Sequence, residues 1–257
     1  MSTLRERIRA REPVLGTFVK TASHQVVEVL GINGMEFVIV DAEHAPFDLG
    51  TLDAMVLAGR AVDMPVLVRV PELAAVPIGQ TLDLGAAGVV IPHVYTGERA
   101  QASVNAAKYT AGQRGFSPST RAGRYGTLDH AAYRAQADAD SIVWCQIEDR
   151  EAIQNLDDIA AVDAVDCLFI GRADLSLSLG VAPKDPAVAA AVKATADAGL
   201  RHNRTIGIHI SDTAEIPELL AIGITAFVYG HDQGFIAAQT KRIKADLAQI
   251  LKDRCAQ

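Results

Sequence analysis

The chain has 257 residues, 49% of them hydrophobic and 21% charged, with a mean hydropathy of +0.17. That composition is globular, too apolar for a disordered chain and too evenly mixed for a collagenous one, and at this length folding buries roughly three quarters of the unfolded surface. Lys and Arg number 24 against 31 Asp and Glu, for a net charge of −7 and a pI near 5.5, which argues against nucleic acid or an anionic membrane as a partner.

Short apolar runs alternate with stretches of helical period along the chain. Strands are expected at 14–19, 37–41, 65–70, 88–94, 142–147, 167–170, 206–210 and 226–229. Continuous β-rich runs such as FVIVD, VLVRV and GVVIP suit parallel strands buried on both faces. Between them, Leu52, Met55, Val56 and Gly59, and later Ile153, Leu156, Ile159 and Ala160, recur at helical spacing. Eight such alternations predict an α/β fold, a (β/α)8 TIM barrel forming one domain over 1–257. A doubly wound open sheet is the competing architecture, but the turn KTAS at 20–23 lacks the glycines of a dinucleotide-binding turn.

Two segments depart from the rhythm. Residues 110–127 form a Gly/Ser/Arg-rich loop, in which Arg114, Arg121 and Arg124 could cradle phosphate but more simply make a surface or subunit contact. The last helix, expected over 235–254, is longer than a barrel needs and carries a stripe of Ile236, Ile243, Leu247, Ile250 and Leu251, which points to subunit contact. The three cysteines fall at 145 and 167, inside apolar runs, and at 255 in the tail, a cytosolic pattern rather than a disulfide framework. The opening MSTLRERIRAREP is charged where a signal peptide is apolar, and no run of about 18 apolar residues occurs, so a cytoplasmic protein without a membrane span is expected.

A barrel of this kind builds its active site at the carboxyl ends of the strands. Those positions hold Asp41, Glu43 and His44; Arg69; His93; Gln146 and Glu148; Gly171, Arg172 and Asp174; His209 and Ser211; and His231 with Asp232. Glu148 and Asp174 follow adjacent strands, and two hard oxygen ligands suit Mg²⁺ or Mn²⁺ better than a closed zinc site. The plainer alternatives are a helix cap for Asp174 and a solvated helix start for Glu148. Arg69 is either half of a salt bridge to a neighbouring strand or an anchor for a substrate oxyanion. His44 is a candidate general base with Asp41 three residues earlier to orient it, while His93, His209 and His231 read as supporting or structural. Of seven lysines only Lys20 falls near a strand's carboxyl end, which disfavours Schiff-base chemistry.

The stretches FVIVDAEHAPFD, PVLVRVP, LDLGAAGVVIPHV, YTAGQRGFSP, QIEDREAIQNLDDIAAVDAVDCLFIGRADLSLSLG and GITAFVYGHD together resemble the HpcH/HpaI aldolase family over about residues 12–240. These are class II, metal-dependent pyruvate aldolases, similar to 4-hydroxy-2-oxoheptanedioate aldolase and 2-keto-3-deoxy sugar acid aldolases. The resemblance implies a divalent cation (Mg²⁺, Mn²⁺ or Co²⁺) held by Glu148 and Asp174. It implies a pyruvate site lined by Gln146, Gly171, Ala173 and Asp174, an enolate-stabilising Arg69 and a basic His44. The expected reaction is reversible cleavage of a 4-hydroxy-2-oxo acid to pyruvate, or a close 2-oxo acid analogue, and an aldehyde through a metal-stabilised enolate. The expected assembly is a homo-oligomer, a hexamer built as a trimer of dimers, with the last helix exchanged between subunits.

Asp83, in LDLG, matches an acid that supports the histidine, yet it precedes the fourth strand and would reach His44 only from a neighbouring subunit; Asp41 is the alternative within the chain. The family pattern GPADLS is broken by Arg172 in place of proline, which bears on substrate charge preference or loop rigidity. Two other functions compete. A CoA-dependent lyase of the citrate lyase β-subunit type would need a basic nucleotide groove that the sequence does not display. A non-catalytic barrel scaffold would have lost Glu148, Asp174 or Arg69, and all three are present.

Overall fold

The computed structural model describes residues 2–110 and 112–255, with only the backbone at Cys255, so the thiol of that residue lies outside the described residues. Among the described residues eight parallel strands close in sequence order into a barrel. Helix α1 (Leu4–Arg9) precedes β1 (Val14–Val19), followed by α2 (His24–Ile32), β2 (Phe37–Asp41), α3 (Leu49–Ala61) and β3 (Val66–Arg69). Then come α4 (Ala75–Asp83), β4 (Gly88–Ile91), α5 (Gly97–Ala107), an extra α6 (His130–Asp140) and β5 (Ile142–Ile147). The chain continues through α7 (Arg150–Gln154), α8 (Leu156–Ala161), β6 (Cys167–Ile170), α9 (Arg172–Leu179) and α10 (Pro186–Arg201). It closes with β7 (Thr205–Ile210), α11 (Ile216–Ala221), β8 (Ala226–His231) and α12 (Asp232–Cys255).

The strands are apolar throughout because each has a neighbour on both edges and side chains on both faces. Inward residues form one core, in which Trp144 meets Phe37 edge-on at 5.6 Å and Phe169 at 5.5 Å between ring centroids. Outward residues pack under the helices in separate clusters; Leu52, Met55 and Val56 of α3, for instance, cover Val38, Val40, Val66 and Val68. Asp48, Thr96 and Asp185 accept from backbone N–H groups in the first turns of α3, α5 and α10, which fixes where each helix leaves its loop.

The expected strands are all present, with edges that shift for local reasons. The run at 88–94 stops at Ile91 because Pro92 has no N–H to donate and His93 turns to φ +53°. The helical stretch through 153–160 is two pieces, broken at Asn155, whose side-chain amide donates to the Tyr95 carbonyl at 2.8 Å. The last helix begins at Asp232 rather than 235 and packs against β1 and β8 through its start. Beyond that, Ile236, Ile243, Leu247, Ile250 and Leu251 all stand exposed on the chain, as the stripe suggested.

Helix α1 plugs the amino-terminal end of the barrel. Leu4 and Ile8 join the inner core, and Arg5 is buried with Nε donating to both oxygens of buried Asp166, at 3.0 and 3.1 Å. Its Nη1 reaches the Asp138 carbonyl at 3.0 Å, while Asp166 also accepts the Val143 N–H at 3.0 Å. Arg5→Ala would leave the buried Asp166 carboxylate without its hydrogen-bonded counter-charge, only exposed Arg9 remaining at 3.9 Å, a loss of about 3 kcal/mol. Urea unfolding should show the midpoint falling with the slope unchanged; a change below about 1 kcal/mol would mean that the pair does not hold the plug.

Candidate active site at the carboxyl end of the barrel

The register of β2 and β3 sets Asp41 directly beside Arg69. Asp41 is fully buried and takes both tines of the guanidinium, Nε to Oδ1 at 2.9 Å and Nη2 to Oδ2 at 2.7 Å. Lys20, at the end of β1, places Nζ 3.1 Å from the same Oδ2. Burial pushes the Asp41 carboxyl up, but the hydrogen bonds and charge of Arg69, helped by Lys20, outweigh it and hold the group below the usual carboxylate range. The fork leaves Arg69 with Nη1 3.5 Å from the Gln146 Oε1 and the guanidinium 4.8 Å above the Phe18 ring.

The turn after β2 returns two more groups to this point. Asp41 Oδ1 accepts the His44 backbone N–H at 3.2 Å, so the carboxylate positions that turn rather than the imidazole, which is half exposed. Glu43 lies 3.2 Å from Arg69 Nε and 3.8 Å from His44 Nε2. Its Oε2 is buried with no hydrogen-bond partner among the described residues.

Across the barrel, β5 ends in a second buried pair. The Gln146 amide donates to Glu148 Oε2, and Glu148 Oε1 accepts the backbone N–H of His93 at 2.9 Å. The left-handed backbone of His93 aims that N–H, and strain in a non-glycine residue is commonly retained where geometry matters. The ring Nδ1 of His93 stands 3.1 Å from Asp149 and 3.5 Å from Glu148, with Nε2 3.9 Å from Glu43. Burial pushes the Glu148 carboxyl up, against the hydrogen bonds from His93 and Gln146, and Glu43 pushes it further. For His93 burial acts downward, yet Glu148, Asp149 and Glu43 together raise it.

Gly171 lets the next strand end pass close to this pair. A Cβ there would lie 2.8 Å from Glu148 Oε2 and 3.1 Å from Gln146 Nε2. The chain then turns into α9, whose first helical bond runs from the Leu175 N–H to the Gly171 carbonyl at 2.9 Å; the N–H groups of Arg172, Ala173 and Asp174 precede it and are free for an anion. Asp174 sits in that first turn, half-buried, as no helix cap, and its carboxylate has no hydrogen bond or ion pair among the described residues. Arg172 points away from it: Nη1 pairs with Glu215 at 2.5 Å and Nη2 donates to the His209 carbonyl at 2.8 Å, tying α9 to the loop after β7.

Two carboxylates on neighbouring strand ends, one buried with a raised pKa and one unpaired, make an oxygen donor set suited to a hard divalent cation. Among the described residues no group of three or more His, Cys, Asp or Glu converges on one point, so a cation here would take its remaining ligands from water or substrate. Asp83 lies at the other end of the barrel, on the last residue of α4, where Arg114 Nη2 holds it at 2.6 Å. His231 has a local task, its Nδ1 accepting the Gly234 N–H at 3.0 Å, and half-buried His209 packs on Phe18. Glu43 and His93, both at strand ends, converge here, with His93 in a supporting place; its bond to Glu148 runs through a backbone N–H, which a residue type does not signal.

A model of the family described as HpcH/HpaI aldolase/citrate lyase matches residues 15–238. The chain is 32% identical over 239 residues to the 5-keto-4-deoxy-D-glucarate aldolase of Shigella boydii serotype 18, covering 92% of each. It is 36% identical over 182 residues to the hydroxypyruvate/pyruvate aldolase of Roseobacter denitrificans, covering 70% of each. Among solved structures, an HpcH/HpaI aldolase/citrate lyase family protein from Burkholderia cenocepacia J2315 superposes with a TM-score of 0.90 at 28% identity, over 95% of this chain and 98% of that one.

The Asp41–Arg69 pair has a pH signature. A carboxyl lowered by folding contributes stability that is complete above its unfolded value and is lost as pH falls through the folded one. Asp41→Asn should therefore cost about 3 kcal/mol at neutral pH, where Arg69 loses its main counter-charge. The gap between wild type and variant in urea unfolding should narrow once pH drops below about 4. A gap independent of pH would show that Asp41 is not held charged by its neighbours.

Proposed function

The chain belongs to the HpcH/HpaI aldolase/citrate lyase family and is a carbon–carbon lyase of the aldolase type, and we propose that it reversibly cleaves a 4-hydroxy-2-oxo acid into pyruvate, or a close 2-oxo acid analogue, and an aldehyde. The observation that carries this reading is the buried Glu148, fastened by Gln146 and the His93 N–H, with Gly171 against it and Asp174, unpaired among the described residues, in the first turn of the α9 that follows. Glu148 and Asp174 would hold a divalent cation, which when bound supplies Lewis-acid polarisation of the substrate's keto group.

The remaining work falls to the chain's own residues. The N–H groups of Ala173 and Asp174 receive the 2-oxo acid's carboxylate at the positive end of α9. Arg69, its orientation set by Asp41, keeps a fixed positive charge facing the enolate oxygen as it develops, without reorganisation during the step. The half-exposed His44 takes and returns the proton at C3 of pyruvate or at the aldehyde-derived hydroxyl. Lys20 is engaged by Asp41 as an ammonium and is not offered as a Schiff-base nucleophile.

Asp83 supports His44 in this reading only if a second subunit brings it there, because within the chain the two lie at opposite ends of the barrel. The exposed stripe of α12 is consistent with that assembly, a hexamer in which the last helix docks on a neighbour. Among the described residues no helix is long and apolar enough to cross a membrane, and Cys145 and Cys167 are free and buried, which supports a cytoplasmic location.

Glu148→Gln and Asp174→Asn should each lower Mn²⁺ affinity by about tenfold or more in calorimetry while the metal-free protein melts near the wild-type temperature. Unchanged affinity in both would remove the metal assignment. Arg69→Lys keeps the charge but loses the fork, so exchange of the pyruvate methyl protons in deuterated water should slow on the order of 100-fold with little change in pyruvate affinity. Because Arg69 is also half of a buried pair, the variant will melt lower. Exchange is therefore read well below that temperature, where a wild-type rate would leave Arg69 a structural residue alone.

A further inference from the structure

Lys20 stands at the mouth of the barrel and has no part in the reaction as described above. Its place is fixed where the sheet closes. Gly16 pairs with Val228 but Phe18 pairs with His231, so Thr17 of β1 is opposed by two residues of β8, Tyr229 and Gly230. Gly230, in the left-handed region at φ +51°, takes up the extra residue, and the Thr17 hydroxyl donates to the Tyr229 carbonyl at 2.7 Å. Bulges of this kind recur beside active sites, where they re-aim a side chain.

Here the bulge delivers Asp232, only 3% exposed, to the end of β1. Its Oδ1 accepts the Lys20 N–H at 2.8 Å and its Oδ2 the Thr21 N–H at 3.1 Å. Two charge-assisted bonds to consecutive N–H groups set the direction in which Lys20 leaves the strand. Its Nζ arrives 3.1 Å from Asp41 Oδ2, its one ion-pair partner among the described residues.

The charges around Arg69 give that contact a purpose. Asp41 holds the guanidinium through Nε at 2.9 Å and Nη2 at 2.7 Å, and Glu43 Oε2 lies 3.2 Å from the same Nε. Two carboxylates therefore share one cation, and an oxyanion approaching Arg69 alone would meet an excess of negative charge. The Lys20 ammonium offsets that excess through Asp41, which belongs to both cations. His209 of β7 lies within reach of the same charge; burial first, then Arg172, His231 and Lys20, hold its imidazole below the usual range, so it adds no cation of its own.

We propose that Lys20, aimed by Asp232, is a positioning residue for the aldolase chemistry, offsetting Asp41 so that Arg69 presents positive charge to the developing enolate. The inference rests on the enolate-facing role proposed for Arg69. The N–H groups of α9 follow β6, three strands from β1 around the closed sheet, so Lys20 bears on the enolate more than on binding of the 2-oxo acid.

The test follows pyruvate methyl exchange in deuterated water with the Mg²⁺-loaded full-length protein. Lys20→Met, which keeps the stem and drops the charge, should slow exchange at saturating pyruvate by about tenfold and leave half-saturation within about twofold. Lys20→Arg, which forms no Schiff base, should restore most of the rate. A second readout needs neither metal nor substrate. The Asp41 carboxyl, followed by NMR in metal-free protein, should titrate at higher pH in Lys20→Met than in wild type and return in Lys20→Arg. Asp232→Asn should move both readouts the same way by less; if it melts too low to measure, the Lys20 variants decide alone. Wild-type exchange in folded Lys20→Met overturns the proposal, as does Lys20→Arg no faster than Lys20→Met, or an Asp41 titration that Lys20→Met leaves in place. Absence of exchange in the wild type would instead overturn the functional reading and this role with it, while the Asp41 titration would still report whether Lys20 acts on that carboxylate.

Discussion

Asp41 is a carboxylate with no exposure to water, and it persists as an anion only because Arg69 grips it with both tines and Lys20 adds a third contact. Much of the mouth of the barrel is arranged around that group. It orients Arg69 toward Gln146, it fixes the turn carrying Glu43 and His44, and it joins the ends of β1, β2 and β3 through charge rather than apolar packing. A buried ion pair adds little net stability over an apolar pair of the same shape, yet either half alone is costly. What the pair contributes here is direction: a planar guanidinium whose Nη1 is turned toward Gln146 with few conformations open to it.

Around this fixed cation the site gathers more carboxylates than it neutralises. Glu43 Oε2 faces Arg69 at ion-pair distance without a hydrogen bond, sharing a cation that Asp41 already holds, Glu148 is raised by burial, and His93 is drawn toward its protonated form by Glu148, Asp149 and Glu43. Excess negative charge at low solvent exposure is unfavourable for the empty protein and favourable for a bound cation, because binding relieves repulsion that folding imposed. The free N–H groups at the start of α9 offer the complementary attraction for a substrate carboxylate. In the proposed reading both would be served by the β6–α9 turn at Gly171, where the absence of a side chain lets the backbone pass the Glu148–Gln146 pair.

The opposite end of the barrel uses the same chemistry for different ends. Arg5 and Asp166 are buried as a pair beneath α1, with Arg9 at the edge of ion-pair distance. Arg172, at the start of α9, is held in the same way, by Glu215 and the His209 carbonyl.

Periodicity and composition determined the barrel, because parallel strands buried on both faces must be apolar throughout and helices must show one apolar stripe; the eight runs and their order were legible for that reason. The same rule placed Asp41, Arg69, Gln146, Glu148 and Asp174 on one rim, since strand ends of a barrel share a face. Only the tertiary structure decided what those residues do to each other. That Asp41 meets His44 at its backbone, that His93 serves Glu148 through an N–H in a left-handed conformation, and that Glu43 shares Arg69 with Asp41 all depend on backbone direction and burial, which no residue type encodes.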